Sequence, residues 1–191
     1  MTPNKETFRK ECLRKLKNTT KHNRLYKTAL VNQKLYSILK RKKRAKILFY
    51  YPLGVEIDLR KVLRHIRRKH DVYIPFMVEQ SFKMVPFRLP LSQKKFGIYE
   101  AGNTNRNIRK IDIAIVPIVG VDGDLQRIGF GKGMYDRFFE TLEKRPYTIF
   151  TQVEFCHTKE LICDDYDIAG DILLTPKKVM INKNFRKNNV K

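Results

Sequence analysis

The chain has 191 residues and a formal charge of +22, with 41 Lys and Arg against 19 Asp and Glu. Its length suits one domain with a sizeable core, and a hydrophobic share of 42% is too high for a disordered chain. No run of about 18 apolar residues is present, so no membrane-spanning helix is expected.

Thr2-Pro3 reads as a helix start, with Thr as N-cap and Pro at the first helical position. Phe8, Cys12 and Leu16 follow four apart on one face, and Lys5 and Arg9, also four apart, share another. A second helix is predicted over 24–39, then a solvated basic turn at 41–44. KILFYY, 46–51, has strand length, and a helix should begin at Asp58 with Leu59, Val62, Leu63 and Ile66 on one face. Strands are predicted at 72–77, 84–87 and 111–116, the last ending at Pro117. Residues 120–133 read as a loop rich in Gly and Asp. A helix should run from Gly133 to about Lys144, with strands at 147–153, 172–175 and 179–182 beyond it. Residues 183–191 read as a frayed basic tail.

Strands alternating with helices predict a single α/β domain. Its sheet should be mainly parallel or mixed, with helices on both faces, a Rossmann-like three-layer arrangement. Three cysteines, Cys12, Cys156 and Cys163, form no C-x-x-C pair, and the opening segment lacks the apolar stretch of a secretory signal. A reduced, cytoplasmic protein is the expectation.

The basic surplus calls either for an anionic partner or for nothing beyond a Lys-favouring composition. A basic nucleic-acid-binding α/β protein is one reading of it. No RNA-recognition motif, zinc finger or aromatic-interleaved basic stripe accompanies the charge. Ligands of open α/β sheets bind beyond the carboxyl ends of strands, which points to RIGFGKGMYD, 127–136. Gly129, Gly131 and Gly133 let backbone amides approach a phosphate, and the following helix presents its N-terminus. Arg127 and Lys132 add charge, and Asp136 lies one turn into the helix. The spacing matches neither the Walker loop nor the dinucleotide G-x-G-x-x-G, and a purely structural Gly-rich turn fits it as well.

RIGFGKGMYDRFF resembles R-x-G-x-G-x-G-Y-Y-D, the signature of the 5-formyltetrahydrofolate cyclo-ligase family. The resemblance spans nearly the whole chain: KETFR at 5–9, YYPLGVEID at 50–58, FGIYE at 96–100 and DIAGDILLT at 167–175 occur in the family's order. It implies an ATP- and magnesium-dependent enzyme that closes 5-formyltetrahydrofolate to 5,10-methenyltetrahydrofolate, releasing ADP and phosphate. By the same resemblance Lys5, Arg9, Arg127, Gly129, Gly131, Lys132, Gly133 and Tyr135 hold ATP. Tyr51, Glu56, Phe130, Gly131, Lys132, Gly133 and Met134 line the folate site. Lys132, Arg127 and Tyr135 serve the chemistry, and Asp136 and Asp167 serve magnesium. A monomer with a folate substrate, mono- or polyglutamylated, and with neither membrane nor specific nucleic-acid partner, is implied. Met134 replaces the first Tyr of Y-Y-D, Leu125 a Gly, and Ala101 a Pro. A folate-binding member with weakened activity therefore stays open beside the nucleic-acid reading. On pattern alone a solvated helix face is the favoured reading of Lys5 and Arg9, and Glu56 suits a helix cap as well as a ligand.

Overall fold

A computed structural model describes residues 4–94, 99–106 and 108–182. The order begins with helices α1 (Lys5–His22) and α2 (Arg24–Leu39), strand β1 (Lys46–Leu48), helix α3 (Arg60–Ile66), then the hairpin β2 (Asp71–Val78) and β3 (Ser81–Pro86). Two short strands, β4 (Ser92–Gln93) and β5 (Tyr99–Glu100), precede the central strand β6 (Ile113–Pro117). A ribbon of β7 (Gly120–Val121) and β8 (Arg127–Ile128) leads to helix α4 (Met134–Glu140), followed by β9 (Tyr147–Thr151), β10 (Ile172–Leu174) and β11 (Val179–Ile181).

The main sheet has seven strands in the order β11-β10-β9-β6-β1-β2-β3. Its five inner strands are parallel and its edges, β3 and β11, antiparallel. Strand periodicity divides the core into two layers. Ile113 and Ile115 of β6 join Leu16, Val31, Leu35 and Leu63 of the first three helices on one face. Ala114 and Val116 join Phe138 of α4 and Phe82 of β3 on the other. The fully buried IAIVP run of β6 is what a central strand covered on both faces requires. The three-layer expectation therefore holds, with a mixed sheet.

Several boundaries differ from those expected, each for a local reason. The expected cap at Thr2 and Pro3 lies outside the described residues. α1 is capped at Asn4, whose side chain accepts from the Thr7 amide at 2.8 Å. The strand expected over 46–51 stops at Leu48. Phe49 still bonds Tyr73 at 2.8 Å, but Tyr50 turns its hydroxyl to Ile57 and Thr151, and Pro52 has no amide to extend a ladder. α3 starts at Arg60 instead of Asp58, because the Asp58 carboxylate accepts from the Arg60 amide and guanidinium in the preceding turn. α4 ends at Glu140 rather than near Lys144. There Thr141 closes back on the Phe138 carbonyl, and Pro146 follows before β9. The region 120–133, expected as loop, contains the β7–β8 ribbon. The described residues include no tail beyond Asn182, so the expectation for 183–191 lies outside them. Among the described residues no helix is long and apolar enough to cross a membrane.

Candidate active site

β1 runs through α3 to β2 on one side, whereas β6 pairs with β1 on the other. Strand order therefore reverses between β1 and β6, and a crevice opens beyond their carboxyl ends, the usual ligand position in such sheets. The crevice holds a cavity of about 310 Å³. Three segments of distant sequence make most of its walls, the β1–α3 loop, the β2–β3 hairpin and the stretch from Arg127 to Tyr135, with Tyr99 of β5 and Pro117 of β6 between them.

The β1–α3 loop supplies Tyr51 and Glu56. Glu56 is 9% exposed, and its carboxylate accepts from the Leu53 amide at 2.8 Å, so it closes a turn and does not cap α3. Arg24 of α2 holds the same loop through the Leu53 and Glu56 carbonyls, at 3.2 and 3.4 Å. Burial pushes the Glu56 carboxyl up to about 7, against the pull of the Leu53 amide and of Arg127 and Arg24. Tyr51 packs against Tyr99 of β5, ring centroids 5.3 Å apart, so two aromatic faces flank this part. Burial also raises the Tyr135 phenol well above its ordinary value.

Another part of the lining is cationic. Pairing of β7 with β8 draws Arg127 inward, where it is 5% exposed. Its guanidinium donates to the Pro117 carbonyl at 3.3 Å, pairs with Asp136 at 3.4 Å and stacks over Tyr135 at 5.0 Å. Arg9 of α1 donates to the Gly129 carbonyl at 2.9 Å and so pins the glycine loop. Gly131 and Gly133 have φ of +97° and +58°, left-handed conformations that favour glycine. α4 is only 7 residues long, so its dipole adds little and the loop amides matter more. Lys5 bonds Asp164 at 2.8 Å and also Asp167, which tethers the 164–167 turn to α1. The Ile168 amide points at Asp136 from 3.4 Å, so Asp136 and Asp167 stand on either side of one peptide.

Gly129 shows how tight this part is. A Cβ built there falls 2.6 Å from the Arg127 Cζ. Gly129→Ala should therefore drive the Arg127 guanidinium out of place. Turnover is expected to drop at least about tenfold with the far-ultraviolet circular dichroism unchanged, since small misplacements of positioning groups have effects of that order or larger. Wild-type turnover in that variant would mean the Arg127 position does not matter.

Of the residues singled out by sequence, Tyr51, Glu56, Arg127, Phe130, Lys132, Gly133, Met134 and Tyr135 line the cavity. Lys5, Arg9, Gly129, Asp136 and Asp167 stand just behind its cationic part through the bonds described above, and Gly131 approaches Arg9 there. Sequence reasoning missed Tyr99 and Met77, which reach the cavity from β5 and β2, and Asp164 as partner of Lys5. No local pattern distinguishes these residues from ordinary strand or turn positions. Among the described residues no group of three or more His, Cys, Asp or Glu could hold a metal by itself.

A doubly wound α/β fold with an aromatic and cationic small-molecule cavity at its switch point is the class that the fold and site define. Residues 1–176 match the sequence profile described as the 5-formyltetrahydrofolate cyclo-ligase family. The chain is 25% identical over 171 residues to the 5-formyltetrahydrofolate cyclo-ligase of Mycoplasma pneumoniae, covering 89% of this chain and 97% of that protein. It is 23% identical to the mouse cyclo-ligase, covering 89% and 92% of the two chains. The solution structure of Aquifex aeolicus 5,10-methenyltetrahydrofolate synthetase superposes with a TM-score of 0.79 at 27% identity, covering 94% of this chain and 93% of that one. The chain belongs to the 5-formyltetrahydrofolate cyclo-ligase family and is an enzyme of that class.

Proposed function

We propose that the enzyme closes 5-formyltetrahydrofolate to 5,10-methenyltetrahydrofolate with ATP, releasing ADP and phosphate. The observation that carries this reading is the make-up of one cavity: the buried Glu56 carboxylate, the buried Arg127 guanidinium, the paired rings of Tyr51 and Tyr99 and part of the glycine loop all line it. The Glu56 carboxylate suits the N–H groups of a pterin, and Tyr51 with Tyr99 suits its flat ring. Arg127, Lys132 and the amides of 129–133 suit a triphosphate, with Lys5 and Arg9 behind them.

The chemistry follows from that placement. A formyl oxygen leaves poorly as it stands. Its attack on the γ-phosphorus forms a P–O bond, expels ADP and leaves a carbon that the neighbouring ring-linked amine can attack. The amine gives up its proton, the C–O bond breaks, and phosphate departs with the electron pair. The protein's part is to align the two substrates and hold cationic groups where phosphate charge shifts.

Magnesium binds through one or two carboxylates together with phosphates and waters, so an ion carried by the nucleotide needs few protein ligands. Asp136 fits that part, because its two contacts, from Arg127 and the Ile168 amide, are both long, at 3.4 Å. Asp167 fits once Lys5 turns to a phosphate. The ion, when bound, neutralises charge on the transferring phosphoryl group. The enzyme is read as a cytoplasmic monomer acting on folate in mono- or polyglutamylated form.

The test is the near-ultraviolet absorbance of the methenyl product on mixing pure protein, ATP, magnesium and 5-formyltetrahydrofolate. Absence of product from folded protein would sink the reading. Asp136→Asn should lose at least about a hundredfold in turnover and also the thermal stabilisation given by ATP with magnesium, while ATP alone stabilises as before. Unchanged stabilisation by the magnesium complex would remove Asp136 from the metal role.

A further inference from the structure

The cavity accounts for only part of the basic surplus. Strand register shows where much of the rest collects. Tyr147 lies beside Ile113, Ile113 beside Ile47, and Ile47 beside Val72. The segments entering β9, β6, β1 and β2 therefore all end on one edge of the sheet, the N-terminal edge, opposite the cavity.

Each of those segments is cationic. Residues 41–44 read RKKR before β1, and 67–69 read RRK before β2. Arg106, Arg109 and Lys110 precede β6, and Lys144 and Arg145 precede β9. All but Arg145 are exposed. The Lys69 ammonium donates to the Lys40 carbonyl at 2.7 Å and joins the first two runs into one surface. Three acidic groups at this edge are matched to cations, Asp71 to Arg44, Glu143 to Lys110 and Asp171 to Arg145, and the exposed Asp112 accepts from the Lys46 amide at 2.7 Å. Lys42, Lys43, Arg68 and Arg106 form no ion pair among the described residues.

Aromatic groups stand among these cations. Tyr147 is 38% exposed, with the Lys42 ammonium 5.4 Å from its ring centroid. Tyr73 shares with Lys46, Arg106 and Lys110 an open hollow of about 530 Å³. Cations alone would suit any polyanion. An exposed ring and a half-buried one interleaved with them suit unstacked bases, whose faces a duplex hides. The edge shows no broad apolar face of the kind that enters a membrane interface: among the described residues its large hydrophobics above a third exposed are Tyr147 on β9 and Ile181 on β11, with β10 between them.

We propose that this edge is a docking surface for single-stranded nucleic acid. Residues 41–44 and 67–69, with Arg106 and Lys110, neutralise phosphates, and Tyr147 and Tyr73 receive bases. RNA and single-stranded DNA share this chemistry. The surface lies across the sheet from the cavity, so the proposal stands apart from the cyclo-ligase reading.

The experiment is fluorescence anisotropy of the full chain with short labelled single-stranded RNA, single-stranded DNA and duplex DNA over a salt series. Both single strands should bind more tightly than duplex, and a preference between them tells which source is favoured. Log affinity should fall with log salt at a slope steeper than about −2, equivalent to three or more phosphates at about 0.7 each. The combined variant Lys42→Glu, Lys43→Glu, Arg68→Glu, Arg106→Glu should weaken binding more than about tenfold with methenyl-forming activity and circular dichroism unchanged. Tyr147→Ala should weaken single-strand binding about fivefold or more and leave duplex binding as it was. The proposal is overturned by any of three results: no salt-dependent binding, binding indifferent to the charge reversals, or duplex or anionic vesicles bound as tightly as single strands.

Discussion

Arg127→Lys should reduce kcat/KM at least about a hundredfold while the protein stays folded. Arg127 is held on three sides, by the Pro117 carbonyl, the Asp136 carboxylate and the Tyr135 ring. Burial draws its pKa down from the ordinary arginine value, and Asp136 works against that shift. The group stays charged, because arginine titrates far above any working pH. A charge fixed in a dry cavity wall acts on phosphate far more strongly than one in water, and needs no rearrangement as the reaction proceeds. Lysine keeps the charge but lacks the planar fork, so it cannot hold Pro117 and Asp136 while also facing a phosphate. Arg127→Ala is a poorer probe. It leaves Asp136 buried without its cation, and loss of one partner of a buried pair costs about 3–5 kcal/mol, so the fold itself would suffer. Steady-state kinetics and a melting curve on the lysine variant separate the two effects. Near-native kcat/KM in that variant would show that Arg127 does not serve the proposed phosphate site.

Much of this arrangement is legible in the sequence, and the reasons differ by residue. The spacing of Phe8, Cys12 and Leu16 marks the buried face of α1, and the unbroken apolar run 113–117 marks the central strand. Both depend on periodicity within one element. The glycine loop is visible because Gly129, Gly131 and Gly133 alternate within a few residues. The β7–β8 ribbon is not visible, since strands of 2 residues carry no period. Its omission matters, because that pairing is what turns Arg127 inward. Whether Lys5 and Arg9 merely face solvent is equally undecidable from α1 alone. Their partners, Asp167 and Gly129, are supplied by segments more than a hundred residues away. The same holds for Tyr99 against Tyr51, and for the basic edge, which four separate loops assemble. No aromatic-interleaved basic stripe exists along the chain, yet register builds one in space.

Glu56→Gln should make the protein more stable at neutral and alkaline pH, and by a margin that vanishes in acid. The folded-state pKa of Glu56 is raised from 4.5 to about 7. The fold therefore favours the protonated carboxyl. The stability that this preference contributes is fully present below pH 4.5 and is lost as pH rises through about 7. The full swing is about 3 kcal/mol at 1.36 kcal/mol per pKa unit. Glutamine mimics the protonated group and keeps an oxygen for the Leu53 amide. The variant should thus exceed the wild type by roughly 3 kcal/mol at pH 8 and match it near pH 4.5, as read from urea unfolding at the two pH values. A difference that does not change with pH would show that Glu56 titrates normally. Binding should reverse the preference. A pterin offers N–H donors, which a carboxylate accepts and a protonated acid or an amide accepts less well. Folate entry should then pull Glu56 towards its ionised form and release a fraction of a proton near pH 7. Calorimetry in buffers of different ionisation enthalpy reads that release directly. Glu56→Gln should abolish it and raise KM by about tenfold or more, consistent with loss of a charge-assisted hydrogen bond worth about 1.5–3 kcal/mol. The stability arm depends on the ligand-free fold, and the proton-release arm on the ligand, so a residue that passes the first and fails the second is buried for structure and does not hold the pterin.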